Sequence, residues 1–216
     1  MNPLAGTALG RGFVLAVGAV IVALIACAGA AAGSGHHSRC LPPHAHGIAE
    51  NHDVRVYSIA GGTYACLLRR GTTVTLVKPA GRRPARIGHV TLAGALVAYT
   101  ASTHGVDTGI TDIVVVNVAS GRTRLTVSRA GGFIDGCFIQ FHEITDLVVT
   151  YRGSVAWLVR TGRGCKTTTF EVHGAQPSGA TDLLEEGPDI APGSLRLSSG
   201  IVSWENAGQR KSARLA

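Results

Sequence analysis

The sequence predicts an all-β fold built from repeated antiparallel sheet units, and three observations lead to this prediction. Beyond residue 53 the apolar residues show almost none of the 3.6-residue periodicity that an amphipathic helix requires. Short runs rich in Val, Ile and Thr alternate with clusters of Gly, Pro, Ser and Asn, as strands alternate with turns. Similar short segments also recur at a mean spacing of about 46 residues.

An uncharged apolar segment runs from Phe13 to Gly33 and follows Arg11. It is long enough to span a bilayer as a helix, and its basic start, apolar centre and small residues also match an export signal. Leu24 to Cys27 resembles a bacterial lipobox, in which Cys27 would be lipidated. Residues 1–33 are therefore predicted to be a signal peptide, a membrane anchor helix or a lipoprotein leader. Each alternative places the rest of the chain outside the cytoplasm, membrane-anchored or secreted.

Residues 34–53 are rich in His, Pro and Gly, and we expect them to form a solvated tether. His36, His37, His44 and His46 could bind Zn²⁺ or Cu²⁺, because imidazole suits both ions. No spacing in this segment matches a zinc module. These four histidines are therefore weak metal candidates, and no cofactor is predicted.

Four cysteines follow the apolar segment, namely Cys40, Cys66, Cys137 and Cys165. An even number of cysteines in an exported chain predicts disulfides. Four cysteines allow three pairings. Cys40–Cys66 and Cys137–Cys165 are favoured because each closes a loop of under thirty residues between neighbouring strands. The alternative is four separate buried thiols.

Residues 54–216 are predicted to form the β-repeat domain. A single short helix is a candidate, from Thr181 to Glu186. The predicted strands share an enrichment in β-branched residues; they are Val54–Ile59, Thr72–Val77, Ile110–Val118, Thr123–Val127, Leu147–Tyr151, Val155–Arg160, Thr167–Val172 and Ile201–Trp204.

Within this domain, four segments share a turn glycine followed by an apolar, a small and a bulky residue. The bulky positions are Cys66, Tyr99, Trp157 and Trp204. Recurrence of one supersecondary pattern predicts that each segment belongs to an equivalent sheet unit.

The residues after Tyr99 resemble the outer hairpin of a β-propeller blade, because an apolar strand is followed by a Ser-Gly-Arg turn at 120–122 and a second strand. A further likeness is to uncharacterised exported actinobacterial proteins with blade-like repeats, and it rests on Val54–Tyr57, Tyr64–Cys66 and the final 194–215 segment. This likeness implies a fold and an exported location, and it implies no activity. At most four units fit, so we expect a small or incomplete β-propeller-like fold. A β-sandwich is the alternative.

Motifs that would carry chemistry are incomplete. His142-Glu143 begins like the zincin motif, but Asp146 occupies the position of the second histidine. The 162–167 segment resembles a phosphate-binding loop, but Cys165 separates the glycine from the lysine. A glycosidase needs two facing carboxylates, and the candidates for that role are Asp107, Asp112, Asp135, Glu143 and Asp146.

The composition limits the partners. The formal net charge is +7, yet aromatic residues are only 5% of the chain, so the stacking platforms of single-strand nucleic-acid binders are few. We expect a non-enzymatic binding or scaffold module of the cell envelope that is attached to the membrane by its N-terminal segment. Its partner would be an unknown protein or an envelope polysaccharide, not nucleic acid. The alternatives are a carbohydrate-active enzyme on a propeller-like scaffold and a His-rich metal-binding lipoprotein.

Overall fold

The computed structural model describes residues 40–79, 85–134 and 139–215. In these residues the chain forms fifteen strands and no α-helix, so the predicted all-β, antiparallel fold class is confirmed. The predicted apolar helix and Cys27 lie outside the described residues. Within the three described ranges, no helix is long and apolar enough to cross a membrane.

The strands form antiparallel meanders, which we divide into four units. Unit I contains β1 (His46–Glu50), β2 (Val54–Ile59), β3 (Gly62–Leu67) and β4 (Thr72–Val77). Unit II contains β5 (Arg86–Ala93), β6 (Leu96–His104), β7 (Thr108–Asn117) and β8 (Arg122–Ile134). Unit III contains β9 (Gln140–Val149), β10 (Val155–Arg163), β11 (Lys166–Ala175) and β12 (Thr181–Gly187). Unit IV contains β13 (Arg196–Ser198), β14 (Ile201–Asn206) and β15 (Gln209–Arg214).

Units II and III belong to one eight-stranded sheet, because β8 also pairs with β9. Three residue pairs make this junction, and they are Gly132–His142, Phe133–Phe141 and Ile134–Gln140. The junction is short compared with the strand pairings inside units II and III. Side-chain packing must therefore supply most of the contact between the two units.

Apolar side chains fill three successive interfaces between the units. One cluster contains Val54 and Val56 of unit I with Val97 and Tyr99 of unit II. A second joins the opposite face of unit II to unit III, and a third joins the opposite face of unit III to unit IV. Units II and III are thus buried on both faces. This explains the nearly continuous apolar sequence of their inner strands, since a strand buried on both sides has no polar face.

The repeat alignment holds for three units and is wrong for unit I. Tyr99, Trp157 and Trp204 each lie in the second strand of their unit, and each is at most 4% exposed. Cys66 lies in the third strand of unit I, and Tyr57 occupies the second strand and is equally buried. The repeat alignment missed this offset because it did not include β1, the strand that precedes β2 in unit I.

The expectation of a solvated tether is wrong for residues 46–50, which form β1 and pair with β2. Arg55 Nε lies 2.7 Å from Glu50 Oε2 and adds an ion pair across these strands. Cys40 is fully buried and forms the predicted disulfide with Cys66. The disulfide and the strand pairing together fold this part of the chain onto unit I, although its His and Pro content suggested a linker. Residues 34–39 lie outside the described residues.

Two further predictions concern unit III. The helix candidate Thr181–Glu186 is wrong, since these residues lie in strand β12 and pair with β11. Pairing with a neighbouring strand overrides the weak helical preference of so short a segment. Cys165 is disulfide-bonded. Cys137 lies outside the described residues, so the Cys137–Cys165 pairing stays a prediction.

Candidate functional site

A groove of about 770 Å³ lies where the first strands of three units come together. Strand β5 contacts β9, and β9 contacts β13. The groove is lined by the last residues of β5, by the end of β9 with its following turn, and by β13 with the end of β15. Each of these segments is short, but the stacking of the units brings them to one place.

Three arginines line this groove. Arg152 lies in the turn between β9 and β10, Arg196 begins β13, and Arg214 ends β15. All three side chains are exposed. Among the described residues that line the groove there is no Asp or Glu. The lining therefore carries three positive charges and creates a positive potential at the groove.

The arginines differ in how they are held. Arg196 Nη1 donates hydrogen bonds of 2.8 Å to the carbonyls of Gly193 and Leu195, which fixes its side chain near the edge of unit IV. For Arg152 and Arg214 the described residues provide no side-chain hydrogen bond and no ion pair. Their guanidinium groups each keep five N–H donors available for a ligand.

The remaining lining combines hydroxyl groups with an apolar floor. Thr91 and Ser199 supply accessible hydroxyls, whereas Thr150 is buried and its Oγ1 accepts a hydrogen bond from the Ser154 amide. Leucine and valine side chains of β5, β9, β13 and the residue after β15 supply the apolar surface. Such a mixture is typical of ligand sites, in which a few polar groups orient a molecule against an apolar wall.

Tyr151 stands at the groove and is 82% exposed, in contrast to the buried aromatic residues of the core. Its ring lies beside the turn between β5 and β6, where a Cβ at Gly94 would approach the ring to 3.2 Å. Gly94 has a φ of +55°, a conformation that suits glycine. This turn therefore provides a platform for an exposed aromatic ring.

The two described histidine candidates do not form a metal site with other described residues. His44 and His46 are exposed, whereas His36 and His37 lie outside the described residues. Nowhere in residues 40–79, 85–134 and 139–215 do three His, Cys, Asp or Glu side chains meet in a way that could hold a metal ion.

The four described acidic candidates for a glycosidase do not line the groove. Asp107 is exposed near the β6–β7 turn, and Asp112 Oδ1 accepts a hydrogen bond from the Arg129 amide at 2.8 Å. Glu143 forms an ion pair with Arg160. Asp146 is also on β9, and Asp135 lies outside the described residues. None of the four described carboxylates lines the groove.

A smaller cavity of about 270 Å³ lies between units II and III. His173 Nε2 lies 2.7 Å from Glu171 Oε2, and the His173 ring stacks on Trp157 with a centroid distance of 5.1 Å. Trp157 Nε1 is buried and has no hydrogen-bond partner among the described residues. Glu171 and His173, which both line this cavity, thus pair with each other.

Sequence reasoning missed the four residues that give the groove its character, namely Tyr151, Arg152, Arg196 and Arg214. A signal was nevertheless present, since Tyr151-Arg152 and Ser199-Gly200 both occupy the turn before the second strand of a unit. Once the units are stacked, equivalent turns and neighbouring first strands meet.

No family model matches the chain, and comparisons with curated proteins and with solved structures found no match.

Proposed function

We propose that this chain is an exported β-propeller-like binding module of the cell envelope, and that the groove at β5, β9 and β13 is its binding site. The observation that carries the proposal is the meeting of three exposed arginines in a groove whose described lining has no carboxylate. Unpaired positive charge in a concave site is unusual for a purely structural surface and favours ligand binding.

The layering of the units supports the propeller-like arrangement. In a propeller, each blade packs on its neighbours through both faces, and the innermost strands lie near a common axis. Units II and III are buried on both faces, and β5, β9 and β13 are neighbours. A two-layer sandwich would leave one face of each sheet in solvent, so it accounts less well for these interfaces. Unit IV has three strands and the sheets do not close, which fits an incomplete ring.

Two features support export. The apolar segment at residues 13–33 has the composition of a signal or anchor. The Cys40–Cys66 disulfide suits an oxidising compartment. Protease added to intact cells or spheroplasts should degrade the domain, and complete protection of the domain would contradict export. Intact mass would identify a lipidated start at Cys27 by its added acyl mass.

The groove can be tested by photo-crosslinking in the native envelope. A photoreactive phenylalanine derivative replaces Tyr151, which is 82% exposed at the groove, and in a control it replaces Val106, which is 90% exposed at the β6–β7 turn. We expect a discrete crosslinked product from position 151 that is absent from position 106. Identical products from both positions, or none from position 151, would refute the groove as the binding site.

A further inference from the structure

We infer that the groove binds an acidic saccharide, meaning a sugar chain that carries carboxylate or phosphate groups. This inference rests on the proposed function and specifies its ligand. Three properties of the groove point to an acidic saccharide: its charge, its mixture of hydroxyl and apolar surface, and its size.

The charge selects an anion. Arg152, Arg196 and Arg214 come from three separate segments, so their guanidinium groups can contact different parts of an extended ligand. Guanidinium groups bind carboxylates and phosphates through paired, charge-assisted hydrogen bonds. Because the described lining has no carboxylate, these charges are not neutralised within the groove itself.

The uncharged lining suits a sugar. A saccharide presents hydroxyl groups at its edges and C–H surfaces on its ring faces. Thr91 and Ser199 can exchange hydrogen bonds with the hydroxyls, while Leu197 and the exposed Tyr151 ring offer apolar surface to the ring faces. Nucleic acid fits less well, since single-strand binding relies on several aromatic rings and Tyr151 is the only aromatic residue in the described lining.

The size of the groove favours an organic ligand over a simple ion. A volume of about 770 Å³ lies within the range of roughly 300–1,000 Å³ found for organic ligand sites. An isolated phosphate would fill only a small part of this volume. A short charged oligosaccharide can extend from the β9–β10 turn to β13 and β15.

Calorimetric titration of the full chain in neutral detergent tests the inference. The probes are trigalacturonate, neutral maltotriose, inorganic phosphate and an oligoglutamate peptide of equal charge. We expect trigalacturonate to bind, and we expect its affinity to fall as salt increases because the contacts are ionic. Maltotriose and phosphate should each bind at least about tenfold more weakly, as the loss of charged or of sugar contacts requires.

Arginine variants connect the affinity to the groove. Arg152→Ala and Arg214→Ala should each weaken trigalacturonate binding about tenfold, the effect of losing one charge-assisted contact. Arg122→Ala is the matched control, because Arg122 is exposed in the β7–β8 hairpin and does not line the groove. The control removes the same charge and should leave binding unchanged. Thermal unfolding of each variant would show that the exposed substitutions leave the fold intact.

Equal affinity for trigalacturonate and maltotriose, or equal weakening by Arg122→Ala, would overturn the inference. Tighter binding of oligoglutamate, or of phosphate alone, would also overturn it. If no probe binds while position 151 still yields a specific crosslink, the acidic saccharide is wrong and the proposed function stands. If both experiments are negative, the proposed function fails as well.

Discussion

Trp157 and Trp204 occupy equivalent second-strand positions, but only one indole N–H has an acceptor. The side chains are 3% and 4% exposed, respectively. Trp204 Nε1 donates to Glu185 Oε2, and Asn206 Nδ2 donates to the other carboxylate oxygen at 2.8 Å. Trp157 Nε1 is buried without a partner among the described residues. The two positions therefore separate the contribution of packing from that of hydrogen bonding.

Replacement by alanine leaves a cavity at either site, so Trp157→Ala and Trp204→Ala should each lower the free energy of unfolding by about 3–5 kcal/mol. Replacement by phenylalanine retains most of the apolar contact. Trp204→Phe should then cost about 1 kcal/mol more than Trp157→Phe, because it removes the donor from Glu185, whereas Trp157→Phe removes an N–H that has no acceptor. Glu185 is only partly buried, which keeps the difference below the range of about 1.5–3 kcal/mol found for hydrogen bonds to charged groups.

Urea unfolding followed by far-ultraviolet circular dichroism measures these differences without depending on tryptophan fluorescence. A double-mutant cycle of Trp204→Phe with Glu185→Ala isolates the hydrogen bond, and we expect a coupling energy of about 1 kcal/mol. Equal costs for the two phenylalanine variants, with no coupling in the cycle, would refute the assigned difference. A cost below about 1 kcal/mol for Trp204→Ala, as at surface positions, would show that unit IV is not part of the common core.

The remaining predictions concern a disulfide, a close glycine contact and a buried tyrosine. Replacing Cys40 and Cys66 with Ser should lower the free energy of unfolding by about 3 kcal/mol, as expected for a disulfide that closes a loop with a sequence separation of 26. A denaturation midpoint equal to that of the native chain would contradict this prediction. Gly162→Ala should lower the free energy of unfolding by about 1–3 kcal/mol, because the added Cβ would lie 2.0 Å from the Lys166 carbonyl oxygen. Gly47→Ala is the neutral control in the same denaturation experiment, because a Cβ at Gly47 would have no atom within 4 Å. Burial raises the pKa of the Tyr99 phenol above its ordinary value of 10.0, so its contribution to stability should be complete below pH 10 and decline at higher pH. Tyr99→Phe should reduce this alkaline loss of stability, which is measured as the unfolding free energy between pH 8 and 11.

Much of the strand content could be predicted because it depends on local sequence. Strands β2 and β4 have the predicted bounds, and the predicted strand 155–160 lies within β10. Alternating or continuous apolar runs bounded by glycine are strong local signals. The helix candidate Thr181–Glu186 failed because these six residues lie in the edge strand β12 and take their conformation from the neighbouring strand β11.

The first unit shows where local patterns stop being sufficient. β1 has the sequence His-Gly-Ile-Ala-Glu, which lacks a clear β pattern, and its residues are largely exposed. Its pairing with β2 and the disulfide of Cys40 hold it in place, and both are contacts made by the folded chain. Missing this strand also displaced the repeat alignment from Tyr57 to Cys66.

The groove could not be predicted from local sequence alone, because the equivalent turns that line it meet only in the stacked units. Arg152 and Arg214 are separated by more than sixty residues, and no sequence motif links them. Their proximity follows from the order in which the units stack. The cysteine pairing Cys40–Cys66, by contrast, was predictable because it joins segments close in sequence.

The position of the Cys40–Cys66 bond determines how mechanical tension enters the domain. The chain reaches the edge strand β1 from Cys40, and an edge strand pulled from its end would separate from its neighbour one hydrogen bond at a time. Cys66 lies in β3, which is flanked by β2 and β4 inside the sheet. Tension arriving from the N-terminal side of Cys40 therefore passes directly to an interior strand that both neighbours hold. Reduction of this bond would transfer the load to β1 and expose unit I to peeling.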